Sequence, residues 1–180
     1  MATSANVFAI GRGFGYGPGP GGGGGPEWEM RYDESTLTAY AQQLDFFGIE
    51  LAVVGGSKDQ IEYARGFSQG APTRRTGTRN EEQSAKRRRT YFTHTSGQVQ
   101  KYDQQLLKKA GINAEGFGLI ILQYYPTPQE DKLIEAQRKF RGLDQASIKK
   151  TVFGIRRQGN GFEFYVVDQI SRSAPPKGGR

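Results

Sequence analysis

The sequence predicts an α+β fold, with one mostly antiparallel twisted sheet and about three helices on one face. Three observations support this prediction. Short runs alternate apolar and polar residues, longer runs place apolar residues at helical spacing, and glycines stand where the helices must end. The chain has 180 residues and no cysteine. We therefore expect one hydrophobic core that is not supported by disulfides.

The first predicted elements lie between residues 27 and 65. Alternation predicts a strand from Glu27, and a helix follows that Ser35 or Thr36 can cap and Gly48 can end. Two further strands are joined by a turn at residues 55–59. The residues that mark these elements are Trp28, Met30, Tyr32, Leu37, Tyr40, Ala41, Leu44, Phe47, Ile49, Leu51, Val53, Ile61, Tyr63 and Arg65.

The second half of the domain begins at Tyr91. A strand at residues 91–93 precedes a helix that ends at Gly111, and residues 119–122 predict a central strand because they are apolar on both faces. Thr127 is the predicted N-cap of a third helix, which ends at Gly142. A terminal hairpin turns at residues 158–161. Its marker residues, with those of the second helix, are Val99, Tyr102, Leu106, Ala110, Thr151, Phe153, Ile155, Phe162, Phe164 and Val166.

Three segments fall outside these elements. Residues 1–26 are a glycine-rich head with the composition of a flexible linker, residues 68–89 are a basic insert of net charge +5, and residues 171–180 are a basic tail. We expect all three to be flexible, and we expect residues 27–170 to form one α+β domain around the insert. Because the whole chain carries +7, the foldable part is slightly acidic.

One internal similarity suggests a duplicated strand-helix-strand unit. Tyr40 and Leu44 enclose two glutamines and precede a Gly-Ile pair, and Tyr102 and Leu106 do the same. The alternative is that two amphipathic helices with glycine C-caps have converged on similar spacing. Both interpretations predict the same local structure.

Catalytic motifs are weak in this sequence. Glycines 17, 19 and 22 have the spacing of a dinucleotide-binding fingerprint, but a predicted strand follows them where a helix is required. His94 is the sole histidine, and its neighbours are too close in the chain to complete a triad. We expect no enzyme activity, no catalytic or metal-ligating residue and no cofactor. An enzyme that uses carboxylates brought together by the fold is left as a third possibility.

Polyanion binding has better support. The candidate residues, which could neutralise phosphates, are Arg74, Arg75, Arg79, Lys86, Arg87, Arg88 and Arg89. Arg12, Phe14 and Tyr16 also interleave with glycine, as in flexible RNA-binding segments. The alternative for residues 86–89 is a solvated run that protects the following strand from aggregation. Residues 160–166 resemble the aromatic strand of an RNA-recognition motif, but Asn160 and Glu163 depart from it, so Phe162 and Phe164 are predicted core residues.

Three phrases carry a resemblance to a known group of proteins. They are YAQQLDFFGIELAVVGG at residues 40–56, YDQQLLKKAGI at 102–112 and KKTVFGIRRQGNGFEFYVVDQ at 149–169. With the preceding glycine-rich run, they resemble a domain of uncharacterised proteins from planctomycete-type bacteria, where it is similar to a C-terminal module behind a long glycine-rich linker. The resemblance implies domain boundaries and a non-catalytic character.

The expected function is therefore a non-enzymatic interaction or assembly module with an unidentified protein partner. The alternative is a nucleic-acid-associated protein that binds phosphates through its arginine-rich segments. No secretory signal is visible, and the longest apolar stretch, residues 119–122, is far shorter than the ~20 residues that cross a bilayer. With Met1 as the start, we expect a cytoplasmic location.

Overall fold

The computed structural model describes residues 7–9, 26–56, 59–81 and 89–172, and these form an α+β fold. The strands are β1 (Val7–Ala9), β2 (Glu27–Arg31), β3 (Glu50–Gly55), β4 (Gln60–Arg65), β5 (Thr73–Thr78), β6 (Tyr91–His94), β7 (Leu119–Tyr124), β8 (Ile148–Gln158) and β9 (Gly161–Ser171). The long helices are α1 (Leu37–Phe47), α2 (Gly97–Lys109) and α3 (Thr127–Arg141), and a 3-10 turn spans Gln145–Ser147. None of the helices in the described ranges has the length and apolar character needed to cross a membrane.

The strands form two sheets, so the prediction of a single sheet is wrong. The larger sheet has the order β1-β6-β7-β3-β4-β5 and is antiparallel throughout, and the smaller has the order β2-β8-β9 with β2 parallel to β8. The predicted mostly antiparallel pairing and the interior place of β7 are confirmed. Alternation shows which residues form strands but not which strands pair, and β2 pairs with a strand more than a hundred residues later.

The basic insert contains a strand, so the prediction that residues 68–89 lack regular structure is wrong for β5. This strand pairs with β4 from Gln60 opposite Thr78 to Arg65 opposite Thr73. Its sequence, TRRTGT, has no apolar alternation, because an edge strand needs only backbone pairing on one side. In the predicted flexible head, β1 pairs with β6. The remaining head, residues 82–88 and residues 173–180 lie outside the described residues.

Two helices end in the same way, at the Gly-Ile pairs that form part of the internal similarity. Gly48 and Gly111 adopt left-handed backbone conformations, with φ of 69° and 78°. The N–H of Ile49 donates to the carbonyl of Leu44, and the N–H of Ile112 donates to the carbonyl of Leu107, each at 2.9 Å. Each hydrogen bond closes a six-residue Schellman motif at the end of the helix. This motif favours glycine in the left-handed conformation, followed by a buried apolar residue.

The predicted duplication does not extend to the topology. The strands that flank α1 lie in different sheets, whereas the strands that flank α2 are direct neighbours in the larger sheet. Shared helix-ending chemistry accounts for the matching Gly-Ile pairs, and the topology gives no support for a duplicated unit. One helix start also differs from expectation: Pro126 is the N-cap of α3, and Thr127 is its first residue and not its cap. The Thr36 hydroxyl caps α1 as predicted, accepting from the N–H of Ala39 at 3.0 Å.

The main core contains apolar residues from both sheets and from all three helices. Leu44, Leu106 and Ile121 are buried, as predicted. Phe162 and Phe164 of β9 also pack against this core, and the ring of Phe164 stacks on Phe47 with centroids 4.1 Å apart. A second, smaller cluster consists of Ala52, Val54, Ile61, Tyr63, Tyr91, Leu122 and Tyr124. Strand alternation places this cluster on the opposite face of the larger sheet.

Truncation of Leu106 tests the helix face that α2 buries. Leu106→Ala should lower the free energy of unfolding by about 2 to 5 kcal/mol, because the substitution removes apolar contacts and leaves a cavity. Urea titration measures the change. A loss below about 0.5 kcal/mol, the range of a surface substitution, would contradict this packing.

Candidate anion-binding site

His94 lies in a buried polar cluster whose hub is the amide of Gln123. The Nε2 of Gln123 donates to His94 Nδ1 at 3.0 Å and to Asp103 Oδ2 at 2.9 Å, and its Oε1 accepts from the Tyr32 hydroxyl at 2.8 Å. The Tyr40 hydroxyl donates to Asp103. These contacts join β6, β7, α1 and α2 to the residue that follows β2.

The other ring nitrogen of His94 forms a hydrogen bond between the two sheets. His94 Nε2 donates to the carbonyl of Met30 in β2 at 3.2 Å, which fixes the neutral tautomer that leaves Nδ1 free to accept from Gln123. Burial lowers the pKa of His94 to about 4, although both hydrogen bonds oppose the shift. The imidazole is therefore neutral at pH 7.

Asp103 is a fully buried carboxyl group in this cluster. Burial raises its pKa to about 7, and the hydrogen bonds from Tyr40 and Gln123 act in the opposite direction. Burial also raises the pKa of Tyr32 and of Tyr40 well above the ordinary value. None of these side chains is more than 7% exposed, so a substrate has no contact with them. We assign the cluster a structural role, and His94 is a buried strand-end histidine.

The second polar cluster faces solvent and forms a cleft of about 330 Å³. Its walls come from the end of β4, the start of β3 and β5, and the residues before β6 and α3. The lining residues are Gly48, Glu50, Arg65, Thr73, Arg74, Arg75, Arg89 and Pro126. We call this the arginine cleft.

Antiparallel pairing and strand alternation assemble the arginine cleft. The start of β3, the end of β4 and the start of β5 meet at one edge of the sheet because each strand runs opposite to its neighbour. Glu50, Arg65 and Arg75 share one face, since side chains two residues apart along a strand point the same way. Arg74 points to the other face, where it pairs with Glu62 at 2.9 Å.

Glu50 is the buried centre of the cleft. Its carboxylate accepts two hydrogen bonds from Arg75, at 2.7 and 3.1 Å, and lies 3.3 Å from Arg89 Nη1. The guanidinium of Arg75 stands 3.8 Å from the ring centroid of Tyr63, and that of Arg89 stands 4.7 Å from the ring centroid of Tyr124. The hydrogen bonds to Glu50 raise the pKa of Arg75 above its ordinary value. Both arginines are thus held in place by a carboxylate and an aromatic ring.

The cleft contains only part of the predicted polyanion-binding set. Arg74, Arg75 and Arg89 line it. Arg79 is among the described residues but does not line the cleft, and Lys86, Arg87 and Arg88 lie outside the described residues. Glu50 and Arg65 also line the cleft and were not predicted as site residues. Arg65 continues the alternation of Ile61 and Tyr63 along β4. The sequence could therefore have indicated that this arginine lies on the same face of the strand as Tyr63.

The site offers no evident metal chemistry. In the part of the chain that the structure describes, no three His, Cys, Asp or Glu residues are grouped so that they could hold a metal ion. Comparison of the chain with protein-family models, curated proteins and solved structures finds no match. The resemblance to planctomycete-type proteins therefore stays a prediction.

The pKa shifts of Asp103 and His94 predict opposing effects of pH on stability. Asp103 keeps its proton to about pH 7 when folded but only to about 3.8 when unfolded, so its contribution is complete below pH 3.8 and is lost as the pH rises to about 7. His94 is neutral down to about pH 4 when folded but binds a proton below 6.5 when unfolded. Its contribution is present above pH 6.5 and is lost as the pH falls to about 4.

Asp103→Asn should remove the first of these two effects. The free energy of unfolding of the variant, relative to wild type, should rise with pH between about pH 4 and about pH 7, by about 1 kcal/mol per pH unit. Urea titrations at a series of pH values measure the difference. A difference between variant and wild type that is constant with pH would contradict the assignment of a raised pKa to Asp103.

Proposed function

We propose that this protein is a non-catalytic module that binds nucleic acid, whose phosphates enter the arginine cleft. The observation that carries the proposal is the convergence of Arg65, Arg75 and Arg89 on one solvent-facing cleft around the Glu50 carboxylate. These three arginines exceed the single charge of Glu50 by two positive charges, and Arg74, which also lines the cleft, is paired with Glu62 on the other face of the sheet. An excess of this kind attracts phosphate groups.

The arrangement of the arginines favours phosphate over a general anion. A guanidinium group donates two parallel hydrogen bonds, which match the oxygen spacing of a phosphate. Arg75 and Arg89 are held by Glu50 and by stacking on Tyr63 and Tyr124. Because these side chains are already positioned, less conformational entropy is lost when a ligand binds.

The neighbouring sequence favours a polymer over a single phosphate. Lys86, Arg87 and Arg88 directly precede Arg89 in the chain. A ligand with several phosphates can contact both this run and the cleft, and each additional contact releases counterions. A nucleic acid provides such a row of phosphates.

Loss of one cleft arginine tests the proposal. Arg65→Gln should weaken binding to every oligonucleotide sequence and should lower the slope of log affinity against log salt by ~0.7 for a single strand or ~0.9 for a duplex. Fluorescence anisotropy with labelled oligonucleotides measures both quantities. Arg138→Gln is the matched control, because it removes the same charge about 18 Å along α3 from the cleft residue Pro126.

The two variants separate specific from general electrostatic binding. Equal losses in Arg65→Gln and Arg138→Gln would show that net charge alone attracts the oligonucleotide. Wild-type binding weaker than about 100 μM at physiological salt, the weak end of ordinary non-specific binding, would contradict the proposal itself.

A second candidate is the protein-interaction module expected from the sequence. One observation favours it: Phe117 is fully exposed between two glycines, and the nearby Ile120 is 43% exposed. An exposed aromatic anchor of this kind is typical of protein interfaces. Capture of a partner from native lysate that survives nuclease treatment but is lost in Phe117→Ser would favour this candidate over nucleic-acid binding.

A further inference from the structure

One aromatic side chain at the end of α1, two residues before the cleft residue Gly48, is not accounted for by the core. Phe46 is the penultimate residue of α1, and it is 50% exposed while its neighbour Phe47 is buried. Its ring meets the ring of Phe162 edge to face, with centroids 5.6 Å apart and planes at 71°. The guanidinium of Arg157 stands 5.2 Å from the centroid of Phe162. We call Phe46, Phe162 and Arg157 the aromatic step.

The aromatic step adjoins the cleft through the end of α1. Phe46 is two residues before Gly48, which lines the cleft, so their Cα atoms lie within about 7 Å of each other. The helix therefore carries an exposed ring and a wall of the cleft on the same turn. A ligand that crosses the end of α1 can reach both features.

The backbone of the β8–β9 hairpin holds the Phe46 ring in place. Gly161 begins β9, and a Cβ atom at this position would collide with the Phe46 ring. The absence of a side chain lets the ring lie directly against the strand. On its other side the ring meets Phe47 edge to face, with centroids 5.0 Å apart. The exposed ring is thus fixed by two aromatic contacts and one strand.

We propose that the ligand of the arginine cleft is a single-stranded nucleic acid and that one of its unpaired bases stacks at Phe46. This inference rests on the proposed function, since it needs phosphates in the cleft. Charge complementarity with the arginines favours a polyanion, and the exposed ring favours a polyanion that carries bases, which is a nucleic acid. Bases in a duplex are already stacked on each other, so only an unpaired base can cover a protein ring. Arg157 adds a cation beside the same surface.

The test compares three polyanions on the full chain. Phe46→Ala should weaken binding of a short labelled oligothymidine about 5- to 150-fold, the range for loss of one stacked base. Binding of a duplex and of inorganic polyphosphate should not change, because neither offers an unpaired base. Phe46→Leu retains apolar packing but not the ring and should show the same selective loss, whereas Phe46→Tyr should bind oligothymidine as wild type does.

Phe140→Ala is the matched control for this series. Phe140 is 42% exposed and has the guanidinium of Arg141 at 5.3 Å from its ring centroid, so it offers similar chemistry. It lies about 21 Å along α3 from the cleft residue Pro126. Its removal should leave all three affinities unchanged.

Two contrary results separate the two proposals. If folded Phe46→Ala and Phe46→Leu bind oligothymidine as wild type does, or lose affinity equally for all three probes, base stacking at Phe46 is wrong while the cleft proposal stands. If wild type binds none of the three probes, the proposal that the cleft binds nucleic acid is wrong, and base stacking at Phe46 is contradicted with it.

Discussion

The hydrogen bonds of the buried Gln123 amide and its neighbours fix the position of α1, whose end leads to the cleft residue Gly48 and carries Phe46. The polar atoms of an amide in an apolar interior need hydrogen-bond partners, because a buried polar group without a partner lowers the free energy of unfolding. Gln123 meets this requirement only when β6, β7, α2 and the end of β2 are all in place. Tyr40, which bonds Asp103, adds α1 to the same cluster. The direction of α1 then determines where Gly48 and Phe46 emerge at the surface.

A second buried polar group has the same effect at the cleft. Glu50 is 7% exposed, and a carboxylate at that depth requires partners. Arg75 and Arg89 meet the requirement, and their stacking on Tyr63 and Tyr124 places two guanidinium groups over the smaller hydrophobic cluster. The interaction that satisfies a buried carboxylate thus also presents positive charge to solvent. Because Glu50 takes two of the five N–H donors of Arg75, a phosphate in the cleft would bond the remaining donors.

Much of the fold could be predicted from local patterns. The Thr36 cap, the glycine ends of α1 and α3 and the burial of Leu44 and Leu106 follow from capping chemistry and helical periodicity. The two-sheet topology could not be predicted, because β2 pairs with β8 through contacts that no local pattern encodes. Strand β5 was missed because it is polar on both faces and forms an edge.

The candidate site was only partly predictable for a related reason. The arginines of the basic insert were visible as a charge run, but Arg65 and Glu50 come from other strands and join them through register. The role of Gln123 left no sequence signal, since a glutamine after an apolar run is typical of a strand that reaches the surface. Each of these residues depends on long-range pairing.

The most direct test of the proposed site is to locate bound oligonucleotide by backbone amide chemical shifts. A titration of the isotope-labelled protein with oligothymidine at physiological salt should shift the amides of Gly48, Glu50, Arg65 and Thr73, with Phe46 among them. The amides of the exposed loop around Phe117 should stay in place. Shifts that avoid these cleft residues and appear only around Phe117 or in the basic tail would contradict the assignment of the arginine cleft as the binding site.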